Sequence, residues 1–252
     1  MIAGSSMDIR VVHPPSQEDP FLVVEKPSFL PSAPLFEGQE SALTQAVRLF
    51  PQLDCVRGKK TVERGLLHRL DTTAHGLLLI AATQHSYDEL SASQARGDFC
   101  KGYRAHCRFL PKDERGKLEG FPPPAVDIPL ECLQDEPVRV CVSSRFRHWG
   151  TNGSQSRPVT EGSGKAALKK CNPVLYETLI SLRVASGEIL ADCSIARGFK
   201  HQVRCHLAWL GFPVAGDELY NPLNGAEREL AFCATTLSFP HPITGKPVVI
   251  TL

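Results

Sequence analysis

A short apolar segment next to a charged tetrapeptide constrains the fold of this chain more strongly than any other feature. Residues 76–81 read GLLLIA, and such a run bounded by polar residues predicts a buried strand. The tetrapeptide His68–Asp71 stands just before it. A carboxylate on a loop that enters a buried strand is held by a rigid scaffold while it stays reachable by a ligand. Asp71 is therefore the first candidate for a functional residue.

The composition predicts a soluble globular protein. With 252 residues, of which 42% are apolar, the chain can form one large domain or two small ones. The longest apolar run, residues 77–82, is too short to cross a bilayer, and the N-terminus lacks the basic and apolar regions of a signal peptide. We therefore expect a cytoplasmic location and no membrane partner.

The cysteines and histidines show no metal-binding pattern. Nine cysteines without a C-x-x-C spacing fit a reducing compartment better than a disulfide framework or a zinc ribbon. His201 and His206 are five positions apart, which places them on different faces of a helix, and Cys205 has no second cysteine at ligand spacing. We therefore expect no bound metal.

The charges are unevenly distributed along a chain whose net charge is only +1. Residues 139–170 contain seven Lys and Arg against the single acid Glu161, and residues 197–206 contain three more cations and two histidines without an acid. Such segments are typical of a nucleic-acid interface, but solvated loop faces have the same composition. Charge alone therefore leaves both interpretations open.

Hydrophobic periodicity and turn residues predict alternating strands and helices after a loose polar lead-in over residues 1–20. The region 111–173, rich in Pro, Gly, Ser and charge, predicts long loops with two short strands. The predicted helices are 41–50, 84–95 and 201–210, and the predicted strands are 21–27, 76–81, 99–110, 126–130, 138–142, 175–184, 189–195, 237–239 and 248–252.

The predicted helix 201–210 has two faces. Val203 and Leu207 share an apolar face, which indicates contact with the core. His201 and Arg204 share another face near the first turn, where free backbone N–H groups favour an anion. Taken alone, the segment is more typical of an ordinary amphipathic helix with solvated polar residues.

Three motifs in this order resemble the RluA-type pseudouridine synthases. That family has an H-R-L-D motif, a later K-x-Y strand and a helix start of the form G-R-x-H-Q-(I/L/V)-R-x-H-L. The chain matches them with His68–Asp71 followed by Gly76, with Lys101–Tyr103, and with Gly198–Leu207. Three smaller matches are 23–27, 211–220 and 239–245. The resemblance covers about residues 20–252, and the ordered set is far more specific than any single motif.

The chain departs from the family pattern at three places. Ala74 and His75 stand where the family usually has Thr and Ser, Phe199 stands where it has Arg, and Cys233 stands where it has His. None of these positions is one that the resemblance assigns to catalysis. We interpret them as marks of a subgroup that differs in substrate choice.

The resemblance implies an α+β protein with the pseudouridine synthase-like fold, a largely antiparallel central sheet, flanking helices and a basic active-site cleft. It implies an N-terminal extension over residues 1–20 and a catalytic domain over residues 21–252. The implied enzyme is an isomerase that converts specific uridines of rRNA or tRNA to pseudouridine. Structured RNA is then the partner, and no cofactor is needed. The sequence does not indicate the oligomeric state, for which we favour a monomer.

The resemblance also assigns roles to individual residues. Asp71 is the essential carboxylate, which attacks either the sugar or the uracil ring. Arg204 keeps Asp71 ionised, because a nearby guanidinium lowers the pKa of a carboxyl group. Tyr103 stacks on the extruded base and assists the proton transfer. Seven further residues are RNA-binding candidates: His68, Arg69, Arg145, Arg147, Arg197, Lys200 and His201.

Three alternatives stay open. The chain can be a catalytically idle RNA-binding protein on the same fold, or a carboxylate-dependent nucleoside hydrolase that releases free uracil. Cys205, near two histidines, can instead act as a nucleophile, as in RNA uracil methylation. The chain has no G-x-G-x-x-G motif after a strand that would hold a methyl donor, which disfavours this third reading.

Overall fold

The computed structural model describes residues 7–36, 38–124, 126–134, 136–223 and 229–252. The strands and α-helices of this part are β1 (Arg10–His13), β2 (Phe21–Lys26), α1 (Ala42–Leu49), β3 (His75–Ala81), α2 (Gln84–Arg96), β4 (Cys100–Cys107), β5 (Val138–Trp149), β6 (Gln155–Val159), α3 (Lys165–Lys170), β7 (Tyr176–Ala185), β8 (Glu188–Ile195), α4 (Gln202–Leu210), β9 (Phe232–Pro240) and β10 (Pro247–Thr251). Short 3₁₀ helices lie at Pro51–Cys55, Thr61–Glu63, Arg115–Lys117, Leu130–Leu133 and Thr151–Gly153.

The chain forms two compact units, Met1–Gly102 with Cys233–Leu252, and Tyr103–Phe232. In the first unit the strand order is β1-β2-β3-β9, and β10 pairs with the last of these. All of these pairs are antiparallel except β3 with β9, which is parallel. Strand β3 is buried from Gly76 to Ala81, which confirms the interior strand predicted from the apolar run.

Gly76 permits the close approach of β3 and β9. Its φ angle is 115°, and an added Cβ atom would lie 2.3 Å from the backbone oxygen of Ala234 and 2.6 Å from the backbone nitrogen of the same residue. The parallel register pairs these two residues directly. A larger residue therefore cannot replace Gly76 without a shift of the backbone.

Local sequence signals start and end the two helices of the first unit. The Ser41 hydroxyl accepts a hydrogen bond from the Thr44 N–H (3.1 Å), and the Thr44 hydroxyl accepts one from the Ser41 N–H (2.8 Å). This reciprocal cap satisfies two backbone donors at the start of α1. Helix α2 ends at Gly97, whose φ of 91° is left-handed. Both helices lie close to their predicted limits.

The second unit has the strand order β4-β8-β7-β5-β6. Strands β7 and β8 form the predicted antiparallel hairpin, with Ser186 and Gly187 at positive φ in its turn. Strand β5 pairs with β7 over Val138–Ser144 and with β6 over Arg145–Trp149. Helix α4 packs against β6 and β7 and helps to form a core around Phe146. The predicted α+β class with a largely antiparallel sheet is confirmed.

Several local predictions were wrong. The predicted lead-in contains strand β1, which pairs with β2, while residues 1–6 of the predicted extension lie outside the described part. Strand β5 continues to Trp149 instead of ending at residue 142. Residues 143–149 are mostly polar, so the sequence there shows no clear alternation of apolar and polar side chains. Strand β6 and helix α3 occupy the predicted loop. Residues 126–134 contain a 3₁₀ helix and no strand.

Candidate active site

The main chain on both sides of Asp71 is fixed by hydrogen bonds. The Ser32 hydroxyl accepts from the N–H of Leu70 (2.9 Å) and donates to the carbonyl of the same residue (2.8 Å). The carbonyl of Asp71 accepts from the N–H of Ala74 (3.1 Å), which forms a turn just before β3. Leu70 and Ala74 are buried, whereas Asp71 is half-buried. Its carboxylate is therefore held at the entry to β3 and stays partly open to solvent.

Lys26 is a buried cation beside this loop. Its side chain has no exposed surface, and its ammonium group donates to the carbonyls of Pro27 (2.8 Å), Leu30 (2.7 Å) and Thr72 (3.2 Å). Burial lowers the pKa of Lys26 to about 8, and the charge of Asp71 opposes this shift. Lys26 therefore ties the end of β2 to the residue that follows Asp71. We assigned it no role from the sequence, although a lysine at the end of the apolar strand Phe21–Val24 was a visible signal.

His68 contacts the fold through a neutral ring. Its Nε2 atom accepts from the N–H of Leu79 (3.3 Å), and its ring lies 5.8 Å from that of Phe99. Burial, aided by the charge of Lys101, lowers the pKa of His68 to about 3. An uncharged imidazole that is hydrogen-bonded to a strand favours a structural role for His68. Its predicted contact with RNA stays a prediction.

Arg69 points to solvent. Its side chain is 57% exposed, and its Nη1 atom lies 3.0 Å from Oε1 of Glu63. An exposed ion pair of this kind contributes little to stability, because water screens it. Arg69 can therefore exchange Glu63 for a phosphate group at small cost, and its contact with RNA stays a prediction.

Tyr103 lies in β4 and is the first residue of the second unit. Its ring is stacked on that of Phe232, with centroids 5.1 Å apart and planes 6° from parallel. The side chain is only 8% exposed. Phe232 covers one face of the ring, so a base that stacks on Tyr103 must use the other face.

Arg204 lies in α4 and forms a buried, two-pronged ion pair with Asp217. Its Nε and Nη2 atoms lie 2.8 Å and 2.7 Å from the two carboxylate oxygens. Asp217 also accepts from the N–H groups of Leu219 (3.0 Å) and Tyr220 (3.2 Å). The planar guanidinium is thus fixed in one orientation. Asp217 lies inside a matched family segment, but no sequence pattern indicates its pairing with Arg204. The predicted pairing of Arg204 with Asp71 stays a prediction.

Helix α4 has no solvated face, which rules out the ordinary amphipathic helix that the segment taken alone resembles. Every residue from Gln202 to Leu210 is buried. His206 lies between Ser144 Oγ (2.9 Å from Nε2) and Thr178 Oγ1 (2.8 Å from Nδ1), and burial lowers its pKa to about 3. The helical spacing correctly identified one core face, but packing against β6 and β7 contributes to burial of the other.

His201 precedes α4 in a left-handed conformation, with φ of 57°. Its Nδ1 atom lies 3.0 Å from the hydroxyl group of Tyr220, which in turn accepts from the N–H of Ser156 (2.8 Å). Burial raises the pKa of Tyr220, so its hydroxyl group stays protonated. The hydroxyl group, which already accepts from Ser156, can donate its own proton to Nδ1 of His201. This arrangement favours the neutral His201 tautomer that carries its proton on Nε2.

Cys205 does not have the properties of a nucleophile. Its thiol is fully buried and lies 3.5 Å from the carbonyl oxygen of Ser156. Burial raises the pKa of the Cys205 thiol, which disfavours the reactive thiolate. The alternative of a cysteine nucleophile therefore loses its support.

The four remaining RNA-binding candidates are exposed or half-buried cations of the second unit. Arg145 and Arg147 lie on the same face of β5, and the Arg147 guanidinium lies 4.3 Å from the centre of the Trp149 ring. Arg197 and Lys200 are exposed in the segment that leads to α4. Within the described residues, no three His, Cys, Asp or Glu side chains lie together as metal ligands would. The helices of this same part are all too short or too polar to span a bilayer.

Two human proteins of solved structure share the fold. RNA Pseudouridylate Synthase Domain Containing 1 has a TM-score of 0.64 at 21% identity, over 100% of this chain and 86% of that chain. RNA Pseudouridylate Synthase Domain Containing 4 has a TM-score of 0.60 at 16% identity, over 96% of this chain and 87% of that chain. At these identities the similarity shows the fold alone, and that fold is the one found in pseudouridylate synthase domains.

Sequence comparison identifies the family. The profile described as RNA pseudouridylate synthase matches residues 20–209. Ribosomal large subunit pseudouridine synthase D of Zymomonas mobilis is 29% identical over 242 residues, which are 92% of this chain and 66% of that protein. Dual-specificity RNA pseudouridine synthase RluA of Escherichia coli is 29% identical over 237 residues, which are 91% of this chain and 87% of that protein.

These matches define a pseudouridine synthase, an enzyme of the isomerase class. The chain belongs to the RNA pseudouridylate synthase family, and the resemblance to its RluA-type members is confirmed. The roles of individual site residues and the identity of the RNA stay predictions.

Proposed function

We propose that the protein isomerises specific uridines of rRNA or tRNA to pseudouridine, with Asp71 as the essential carboxylate. The observation that carries this proposal is the fixed loop before β3. Ser32 holds Leu70 and Lys26 holds Thr72, so the residues on either side of Asp71 are both anchored. The carboxylate between them is half-buried and can meet a ligand.

The chemistry requires a fixed, ionised carboxylate. Pseudouridine forms when the bond between N1 and C1′ breaks, the uracil turns in place, and C5 joins C1′. A carboxylate can attack covalently or stabilise an electron-poor sugar carbon, and both tasks need the charged form. The ammonium group of Lys26 supplies positive charge near Asp71.

The other site residues have supporting roles in the proposal. Tyr103 stacks on the extruded base and offers its hydroxyl group to proton transfer at C5, as the family resemblance implies. Arg204 supplies positive charge to Asp71, as the family resemblance implies, and Asp217 fixes the orientation of the guanidinium. The cations Arg69, Arg145, Arg147, Arg197 and Lys200 bind phosphate groups around the target nucleotide.

The substrate class follows from the relatives by analogy. One relative is named as a ribosomal large subunit enzyme and another as a dual-specificity RNA enzyme. We therefore propose a uridine in a loop or bulge of a structured RNA, because extrusion of a base costs least where pairing and stacking are weak.

The deciding experiment measures the release of tritium from C5 of uridine. The purified protein is incubated separately with ribosomal and transfer RNA that carry C5-tritiated uridine. We expect tritium to reach water with the wild-type protein, and the Asp71→Asn variant to lose all measurable release because the amide cannot carry the charge. Asp54→Asn, which alters an exposed ion pair with Arg64, is the matched control and should retain activity.

The same assay separates the alternatives. Release of free uracil would support the nucleoside hydrolase. RNA binding without release of tritium or uracil from either pool would support an idle RNA-binding protein. Undiminished activity of Asp71→Asn would overturn the role of Asp71 while leaving the family assignment intact.

A further inference from the structure

We propose that His148, Phe199 and the ammonium group of Lys200 form a second nucleotide subsite, which stacks an unpaired base of the RNA and binds the adjacent phosphate. The subsite lies within the second unit, on the face of β5 opposite to Arg145. It rests on the proposed function, because it gives the enzyme a contact with RNA beyond the target uridine.

A graded stack of rings forms the base-binding surface. The ring of Phe199 lies 5.1 Å from that of Phe146, with planes 8° apart, and 5.2 Å from that of His148. Phe146 is fully buried, Phe199 is half-buried and His148 is exposed. The inner rings therefore hold the outer ones in place, and the imidazole of His148 meets solvent. Such a surface can stack any base, because every base has a flat aromatic face.

Lys200 is fixed beside this stack by two hydrogen bonds. Its ammonium group donates to the carbonyl of Gly153 (2.9 Å), and its own carbonyl accepts from the Ser156 hydroxyl group (2.6 Å). Gly153 lies against His148, since an added Cβ atom there would be 3.2 Å from the His148 Cβ atom. The ammonium group is thus held next to the exposed imidazole and still has hydrogens for a phosphate.

The chemistry of this surface fits a single-stranded nucleotide better than an apolar peptide. Lys200 is exposed and forms no ion pair with any residue in the described part of the chain. The neighbouring Arg197 is also exposed. A flat ring flanked by cations is the usual binding surface for an unpaired base and its phosphate. Phe199 replaces the arginine of the family motif, and both side chains present a flat surface to a base.

Binding to a short RNA tests the subsite without any turnover. The probe is a fluorescein-labelled decamer of uridine, and its affinity is measured by anisotropy at several salt concentrations. We expect His148→Ala to weaken binding about 5- to 10-fold through loss of stacking. We expect Lys200→Ala to lower the slope of log K against log salt by about 0.7, the value for one phosphate contact on a single strand.

Matched controls remove an exposed imidazole or an exposed cation elsewhere. His85→Ala and Lys246→Ala should bind the decamer as the wild type does, because both residues are exposed in the first unit. A second decamer carries 5-iodouridine, and irradiation should link it to His148 or Phe199. Thermal unfolding of each variant shows whether it is folded.

The outcomes separate this proposal from the proposed function. Affinities of His148→Ala and Lys200→Ala within twofold of wild type, or cross-links only elsewhere, would overturn the subsite even if tritium release is normal. Undetectable binding of the decamer by the wild type would overturn it as well. If binding depends on His148 while no RNA pool releases tritium, the subsite stands and the proposed function fails.

Discussion

The hydroxyl group of Tyr220 lies 3.0 Å from Nδ1 of His201, the residue that precedes α4. The same oxygen accepts from the N–H of Ser156 (2.8 Å), and the ring centre lies 5.4 Å from the guanidinium of Arg204. One buried phenol therefore contacts two residues of the family motif. Removal of this phenol should therefore alter the surroundings of both His201 and Arg204.

Tyr220→Phe tests this relationship, because it removes only the oxygen. We expect a change in the proportion of the His201 tautomers, since Nδ1 loses its contact with the hydroxyl group. We also expect a loss of about 1–3 kcal/mol in the free energy of unfolding, since the Ser156 N–H loses its acceptor. Nitrogen-15 NMR of the imidazole measures the tautomers. Tyr176→Phe deletes the same atom in the same unit and should leave the His201 signals unchanged. Unchanged His201 signals in Tyr220→Phe would show that another group sets the tautomer.

The ion pair of Arg204 and Asp217 should be important for stability. Asp217→Asn removes the carboxylate charge that faces both nitrogens of the buried guanidinium, for which we expect a loss of about 3–5 kcal/mol in the free energy of unfolding. Urea denaturation measures it. Asp192→Asn alters an ion pair with Arg104 and Arg183 that is partly exposed, and should cost about 1 kcal/mol or less. Equal losses in the two variants would contradict the special role of the buried pair.

The sequence predicted the positions of strands and helices better than the surroundings of individual side chains. The strand at residues 76–81 and the position of the Asp71 loop follow from a local apolar run, which needs no knowledge of the rest of the chain. The burial of Lys26 does not, because its partner Thr72 comes from a segment 46 residues further along the chain. The burial of both faces of α4 was not predicted for the same reason, since the contacts with β6 and β7 are tertiary.

Acid should destabilise the protein through its buried histidines. Burial lowers the pKa of His206 and of His68 from 6.5 to about 3. Between these values the unfolded chain binds protons that the folded chain does not, so stability falls as the pH decreases below 6.5. His206→Gln cannot bind this proton, and we expect its deficit relative to wild type to shrink from pH 7 to pH 4.5. A constant deficit in urea titrations at both pH values would contradict the shift at His206.

Even the smallest side chain, a methyl group, should destabilise the protein at Gly76. The Cβ atom of Gly76→Ala would meet backbone atoms of Ala234 that cannot move aside, for which we expect a loss of about 3 kcal/mol or more in the free energy of unfolding. Gly97→Ala is the matched control, because Gly97 also has positive φ but open space around it. It should cost about 1 kcal/mol of backbone strain. Similar losses for both, measured by thermal unfolding, would show that conformation rather than contact limits Gly76.

The anchoring of the Asp71 loop by Ser32 and Lys26 also affects how the energy of RNA binding is used. A loop that is ordered only by its substrate would lose conformational entropy at each binding event. Here internal hydrogen bonds order the loop during folding. In the proposed reaction, more of the attraction between phosphates and cations is then left to offset the unstacking of the target uridine, which costs a few kcal/mol.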